Sequence, residues 1–497
     1  MRVIDNMAEK VRRSIRTFLR IEPAQKGYFQ IQETLDYDSN ALKNRIWYRG
    51  DSDELEQLYK TMPGSANQSR FWAAVPTPGR EIRKIHTGLP SMIVDIMAAI
   101  VMADMNEIKV SDEKSDIWKK ICKDNEIYDM LKQAVTDTLV IGDGAFKISF
   151  DSEISKYPIV EFISGENIDI VYTRGRVKEI VFRTECRHQY KSYVLEERYG
   201  RGYVMSALFC GGKTVPLRSI PQTENLEEKI TFSSSFMLAI PFKIYHSNKW
   251  KGRGKSIYDT KADNFDALDE AWSQWMDALR KGRAKEYIPL DVLPRNPQTG
   301  EVLRPNPFDN AYIEQEASLS EGTNSEIKVV QPAIPHESYL ATYITALDLC
   351  LQGIISPSTL GIDTKKLDNA EAQREKEKAT LYTRNNIVEA LQNTLPVLVD
   401  AVLKAYDTAN QMPLEDVKVE VPFGEYANPS FESQVETVTK GKQGGIMSIE
   451  ASVEELYGDS KDEEWKAEEV LRLKAEQGIE TLEEPELAQE IQPNMTE

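Results

Sequence analysis

Cysteine and histidine are scarce in this 497-residue chain, which has four of each. Cys122, Cys186, Cys210 and Cys350 lie far apart with no CxxC pair. That excludes the common zinc frameworks and a disulfide scaffold, and fits a reducing compartment. His86, His188, His246 and His336 are equally scattered, without HxxxH or HExxH spacing, so no metal is expected. Long apolar runs are missing too. The longest, "SMIVDIMAAIVMADM" from Ser91, is broken by Asp95 and is too short to span a bilayer, so it reads as a buried helix and no membrane partner is expected. Residues 1–24 read as a basic amphipathic arm with Val11, Ile15, Phe18 and Leu19 on one side and no apolar signal-peptide centre. A docked or protruding surface helix is expected there, not a secretion signal.

An excess of positive charge is also absent. The net charge is −19, but it is unevenly placed: residues 450–497 hold sixteen acidic and four basic side chains, a net −12, which leaves −7 for the first 449 residues. A basic groove that grips phosphates is therefore not expected, and any DNA contact must be local and weak. Catalytic signatures are missing as well. "GRGKS" at 252–256 follows a strand-like run, yet a phosphate-binding loop needs glycine five positions before Gly254, where Lys249 stands. A turn into the following helix is its plainer meaning. "GDGAF" at 142–146 reads as a helix-to-strand turn. With no local serine, histidine and carboxylate cluster, no catalytic residue is assigned, no cofactor is expected, and the chain is read as not an enzyme.

What is present is an organised mixture of helix and strand, an α+β chain long enough for two to four domains at about 150 residues each. Helical spacing dominates 42–60 and 80–140. Alternating β-branched and aromatic runs broken by glycine fill 145–247 and predict a meander of hairpins. "DTKADNFDALDEAWSQWMDALRKGRAKEY" predicts a strong amphipathic helix with Phe265, Leu268, Trp272, Trp275 and Leu279 on one side. Its early aspartates and late basic residues complement the helix dipole. "HESYLATYITALDLCLQG" repeats the pattern with Leu340, Tyr343 and Leu347, and Gly353 can end it. Between them lie Pro289, Pro294, Pro297, Pro305 and Pro307, with strand candidates "YIPLDVL", "AYIEQE" and "EIKVVQP". Two rods that leave a body and return make a stalk whose apolar sides are expected to need neighbours.

The stretch after the stalk is unusual. From Ala370 to Thr380 the chain reads as helix without an apolar stripe, and only from Leu381 onward do Ile387, Val388, Leu391, Leu395 and Leu398 form one. Pro396 should kink that helix. The charged run Arg374–Lys378 is either a solvated face supported by pairs such as Arg374–Glu377, or a set of charges lining a lumen or pairing between subunits.

With stalk, loop and long helix in view, the chain resembles the portal proteins of tailed bacteriophages, in the branch typified by long-tailed phages of Gram-positive hosts. The resemblance runs through "NRIWYRGDSDELEQLYK", "SRFWAA", "IRKIHTGLPSMIVD" and "GDGAFKISFD". It is strongest in the first stalk helix and in "GIISPSTLGID" followed by "NAEAQREKEKATLYTRN". It implies a portal fold: a ring, usually of about twelve subunits, with an N-terminal arm at 1–24 and a helical and β wing at 25–255. Stem helices at 256–285 and 336–354 and a small α/β clip at 286–335 follow. A tunnel loop, kinked channel helix and return to the wing occupy 355–424, and an acidic helical crown with a disordered tail 425–497.

The implied function is passage of double-stranded DNA into and out of a capsid at one vertex, in the virion and, during assembly, the host cytoplasm. Implied partners are other copies of the chain, the terminase large subunit and a head-tail adaptor at the clip, and major capsid and scaffold proteins around the wing. The implied tunnel residues are Ser356, Ser358, Thr359, Asp363, Lys365, Lys366, Asn369, Gln373, Arg374 and Lys376. Stem packing between subunits falls to Phe265, Leu268, Trp272, Trp275, Leu279, Leu340, Tyr343 and Leu347, and clip docking to Arg295, Arg304 and Phe308. A dimeric coiled-coil adaptor, or an enzyme built around "GRGKS", is the alternative.

Overall fold

The computed structural model describes residues 33–62, 70–75, 81–289, 295–302, 312–315, 328–362, 370–424, 431–457 and 463–476. The side chains of 285–289, 312–315, 328, 370–377, 431–434, 436 and 437 are outside that description. The arm at 1–24 and the end of the acidic tail therefore lie outside it. The chain divides into two compact units, Met1–Ala99 with Val110–Val419, and Ile100–Lys109 with Glu420–Glu497.

The first unit begins with helices α1 (Tyr37–Arg49) and α2 (Ser52–Thr61), followed by α3 (Leu89–Ala103), α4 (Asp112–Asp124) and α5 (Ile127–Ile141). Local chemistry sets the first two. Asp36 accepts from the Ser39 amide at 2.8 Å, and Asp51 accepts from the Asp53 amide at 2.9 Å, so both helices start on a capping carboxylate. Gly50, at φ 71°, closes α1 in the left-handed region that other residues rarely adopt.

After Gly142 the texture changes to strand, as the alternation predicts. β1 (Asp143–Ser149), β2 (Ile159–Ser164) and β9 (Ala239–Lys243) form an antiparallel sheet in the order β9-β1-β2. β3 (Ile168–Thr173), β4 (Arg176–His188), β5 (Lys191–Gly200), β6 (Tyr203–Cys210) and β7 (Lys213–Val215) follow one another in a second sheet, with β8 (Lys229–Thr231) paired to β6. Arg174–Gly175, Gln189–Tyr190 and Gly211–Gly212 all have positive φ, the two-residue hairpin geometry that makes a meander. Ala145, Ile168, Ile180, Phe182, Tyr199, Val204 and Ala239 pack into one apolar cluster.

Three further helices complete this unit: α6 (Ala262–Lys281), α7 (His336–Leu351) and the 40-residue α8 (Ala370–Ala409), which runs unbroken through Pro396. Between α6 and α7 lie β10 (Lys285–Pro289), β11 (Tyr312–Gln315) and β12 (Lys328–Val330). β10 sits in the centre, parallel to β11 and antiparallel to β12. Each predicted strand is present, but among the described residues of 286–335 there is no helix. The expected α part of that module is not seen among them. Along α8 the predicted stripe is buried: Ile387, Val388, Leu391, Leu395 and Leu398 all face the core.

In the second unit, the Asn106 amide donates to Pro422 O at 3.0 Å and the Gly424 amide to Asp104 O at 2.7 Å. Helices α9 (Phe431–Gln443), α10 (Ile449–Tyr457) and α11 (Glu463–Glu476) follow. Val438, Ile449 and Val453 are buried, Tyr457 meets Trp465 edge-on at 5.1 Å, and Lys466 pairs with Glu454 at 2.9 Å.

The two glycine motifs of the sequence turn out to be halves of one joint. A Cβ built on Gly254 would lie 1.9 Å from Gly142 O, so only glycine permits the crossing. At this crossing the fully buried Asp143 accepts from Arg253 Nε at 3.0 Å, Arg253 Nη2 at 2.9 Å, the Gly254 amide at 2.6 Å and Tyr37 Oη at 2.8 Å. The Arg253 guanidinium also lies 3.7 Å from the centre of the Tyr37 ring. A buried carboxylate is tolerated because it has a cation and three classes of donor around it. Asp143→Ala leaves the buried Arg253 with only the longer, half-exposed ion pair to Asp169 at 3.9 Å. It should lower unfolding stability by about 3–5 kcal/mol in a denaturant titration.

Candidate functional site

The first stalk helix, α6, carries an acidic face that the dipole reading did not explain. Asp259, just ahead of its first turn, accepts from Asn40 Nδ2 at 2.8 Å and Asn44 Nδ2 at 3.0 Å, both on α1. Asp263 pairs with Arg70. Asp266 accepts from the amides of Phe71 and Trp72 at 3.1 and 3.3 Å. Burial pushes the Asp266 carboxyl up, against those two amides, which pull it down. The fully buried Asp269 accepts from Trp72 Nε1 at 3.2 Å, from the Thr87 amide and Thr87 Oγ1, both at 2.9 Å, and lies 2.7 Å from His86 Nδ1. Three-residue spacing puts Asp263, Asp266 and Asp269 on one side of the helix, with Asp259 just before it. They anchor the irregular stretches 70–75 and 81–88, which include parts of "SRFWAA" and "IRKIHTGLP". The spacing was legible in the sequence. The donors, up to some 220 residues away, were not.

The opposite side of α6 meets α7. Trp272 lies 5.8 Å from Trp275 and 5.5 Å from Tyr343, and Trp275 stacks on Tyr339 at 6.4 Å. Lys261 Nζ donates to Leu349 O at 2.7 Å and Gln352 O at 2.8 Å, and Asn264 Nδ2 donates to Leu349 O at 3.0 Å. The start of one rod thus caps the end of the other and sets their register. Burial pushes the Cys350 thiol up to about 12, so it is no nucleophile.

The residues expected to pack between subunits separate into two groups. Phe265, Leu268 and Leu347 are already buried in the single chain, at 1%, 1% and 5% exposure. The expectation that these three need a neighbouring subunit to be buried does not hold, because the single chain already covers them; Phe265 packs on Trp47 of α1 at 5.8 Å and on Tyr258 at 5.7 Å. Trp272, Trp275 and Tyr343 are half-buried in the aromatic contact just described. Leu279 at 42% and Leu340 at 45% remain exposed, as does Leu349. Leu349 borders a groove of ≈ 400 Å³ lined also by Asn264, Ala267, Ala341, Thr342 and Ala346.

Of the expected tunnel residues, Ser356, Ser358 and Thr359 lie together in the turn that leaves α7. Ser356 Oγ and Ser358 Oγ are 2.7 Å apart, and Thr359 Oγ1 is 3.2 Å from Thr380 Oγ1 on α8. Asp363, Lys365, Lys366 and Asn369 fall outside the described residues. Gln373, Arg374 and Lys376 belong to α8, but their side chains fall outside the description. In the module between the rods, Arg295 Nη1 donates to Gly300 O at 3.3 Å, while Arg304 and Phe308 fall outside the described residues.

The phosphate-loop alternative finds its groups taken. The Gly254 amide and Arg253 hold Asp143. The fully buried Ser256 donates its hydroxyl to Leu139 O at 3.2 Å and accepts from the Tyr258 amide at 3.0 Å. A carboxylate of the chain itself occupies the anion position. Among the described residues, no group of three His, Cys, Asp or Glu could hold a metal ion, and no helix is long and apolar enough to cross a membrane.

A family model described as "Phage portal protein, SPP1 Gp6-like" matches residues 36–480. No curated protein matches. Among solved structures, the chain is similar to one titled "Neck of native GTA particle computed with C12 symmetry", at 12% identity and a TM-score of 0.38, over 75% of this chain and 91% of that one. It is also similar to "Virion of native gene transfer agent (GTA) particle", at 13% identity and a TM-score of 0.36, over 77% and 89%.

Burial separates two otherwise similar substitutions. Leu268→Asp places a charge in the core of the subunit and should destabilise it by about 3 kcal/mol or more, while Leu340→Asp on the exposed side should stay within about 0.5 kcal/mol. Thermal melts of the isolated chain measure both, and equal losses would contradict the assigned faces.

Proposed function

The chain belongs to the phage portal proteins of the SPP1 Gp6-like family, and on that footing we propose that it builds a closed ring of about twelve copies at one capsid vertex. Double-stranded DNA is packaged and ejected through that ring. The observation that supports the ring is that the paired helices, after covering one another, still expose Leu279, Leu340 and Leu349, the last two nine residues apart and so on opposite sides of α7. Leucines presented outward on two sides of the rod pair suit neighbours on both sides. In a heterologous, closing arrangement one side of each rod pair meets the other side of the next. Phe265, Leu268 and Leu347 then hold the stem together within each subunit.

The charge balance supports passage of DNA. Each phosphate neutralised by a channel wall adds salt-dependent affinity, and repetition around a ring would turn modest contacts into a brake. A net-acidic chain repels the duplex and keeps it centred. Lys365 and Lys366, with Asp363, Asn369, Gln373, Arg374 and Lys376 nearby in sequence, supply the few transient contacts. The module between the rods, with Arg295, Arg304 and Phe308, takes the terminase large subunit and later a head-tail adaptor. Its prolines stiffen exposed loops and lower the ordering cost of docking. Capsid and scaffold proteins surround the wing, and the tail type and Gram-positive host implied by the resemblance belong to the same proposal.

A dimeric adaptor differs from this in subunit count, so light scattering of the purified protein separates the two. Lys365→Glu combined with Lys366→Glu should leave the ring's mass unchanged and lower the yield of DNA-filled heads at least about tenfold, on the view that these lysines touch phosphates. A normal yield of filled heads from that double variant would remove the lysines from the DNA path.

A further inference from the structure

We infer that Thr380 is a positioning residue for DNA passage, because its hydroxyl fixes the place where the chain leaves the stem. The inference rests on the portal assignment. Between Leu351 and Ile362 the chain buries Ile354, Ile355, Ser356 and Pro357. Apart from the single turn Ser358–Leu360, this stretch has neither helix nor strand. Local turns pair several of its amides, those of Ile354 and Ile355 with Leu351 O and that of Thr359 with Ser356 O. The buried Ser356 amide and Ile354 carbonyl need partners from outside the segment, and leaving them unpaired is costly.

Two hydroxyls on α8 meet that need. Thr380 Oγ1 accepts from the Ser356 amide at 2.8 Å, and Thr383 Oγ1 donates to Ile354 O at 2.7 Å. Thr380 is fully buried and Thr383 nearly so. The two threonines are three residues apart and share one side of α8. One reads an N–H and the other a C=O, two residues apart on the segment. Sliding the segment by one residue would mismatch them, which an apolar contact would not prevent.

The latched stretch is bracketed by Gly353 at φ 77° and Gly361 at φ 71°, and a Cβ on either would meet nothing within 4 Å. Their role is a backbone turn, not a close approach. The chain is thus bent at both ends and pinned in the middle. Thr359, itself 3.2 Å from the Thr380 hydroxyl, is placed by the same pin, as is Ser358 through Ser356. These are residues proposed to face the channel, so Thr380 sets where they stand relative to α8.

The test uses the full-length chain. Thr380→Val keeps the shape and removes the acceptor, while Thr380→Ser keeps the acceptor and removes a methyl. Hydrogen exchange of the peptide spanning 352–362, measured on the assembled protein, reports the latch directly. The yield of DNA-filled heads reports passage. For Thr380→Val, exchange in that peptide should quicken about tenfold, with unchanged ring mass and a filled-head yield reduced about tenfold. Thr380→Ser should bring both back to within about twofold of the unsubstituted protein. Unchanged exchange in Thr380→Val, a normal yield despite fast exchange, or a serine variant as defective as valine would each overturn the inference. Should Thr380→Val fail to assemble, exchange of the 352–362 peptide in the unassembled Thr380→Val chain still decides the latch. Thr383→Val, which removes the companion bond to Ile354 O, then decides passage by a reduced or a normal yield of filled heads. If the unsubstituted chain forms no ring, the portal role falls on its own, and the exchange result still decides whether the latch exists.

Discussion

Four aspartates on and just before α6 are the interaction on which the first unit depends. Asp259, Asp263, Asp266 and Asp269 gather donors from α1 and from the stretches at 70–75 and 81–88. Asp266 and Asp269 are buried, while Asp259 is half-buried and Asp263 exposed. Carboxylates at the depth of the first two are costly unless they have donors, and removal of a partner leaves an uncompensated charge. Helix, loop and indole therefore have to arrive together. The same logic governs Asp143, which draws Tyr37, Arg253 and the Gly254 amide to the crossing of two glycines. Acidic groups do the internal fastening that apolar contact alone would leave adjustable.

This use of charge bears on what the molecule does. On the proposed function, the charge of each subunit must not hold the polymer passing through the ring. Carboxylates that face inward contribute rigidity without adding to a phosphate-binding surface, and those that face outward repel the duplex. The net acidity of the chain is thus compatible with DNA passage, where a basic lining would favour retention.

The stem shows a division of labour that amphipathic spacing alone does not reveal. Its aromatic ladder, Trp272, Trp275, Tyr339 and Tyr343, lies inside one subunit, and its leucines at 279, 340 and 349 lie outside. The aromatic set has helical spacing, whereas Leu340 and Leu349, nine residues apart, lie on opposite sides of α7. Burial within the chain goes to the residues between the two rods, and the leucines left exposed point to more than one side. At the end of the stem, hydroxyls replace apolar contacts, because the chain there is irregular and its amides need partners.

Much of this was legible in the linear chain. Periodicity located both rods, the hairpin meander, the strands between the rods and the buried stripe of α8, since side-chain spacing reports directly which residues can share a face. The motifs near 252 and 358 pointed to the family that matches residues 36–480. Periodicity could not say what each face would meet. The pairing of "GDGAF" with "GRGKS", the donors that serve the α6 aspartates and the threonines that pin Ile354–Ser356 all join positions far apart in sequence. Hydrogen bonds depend on distance and angle between atoms that only the folded chain brings together, and so the tertiary structure alone decided them.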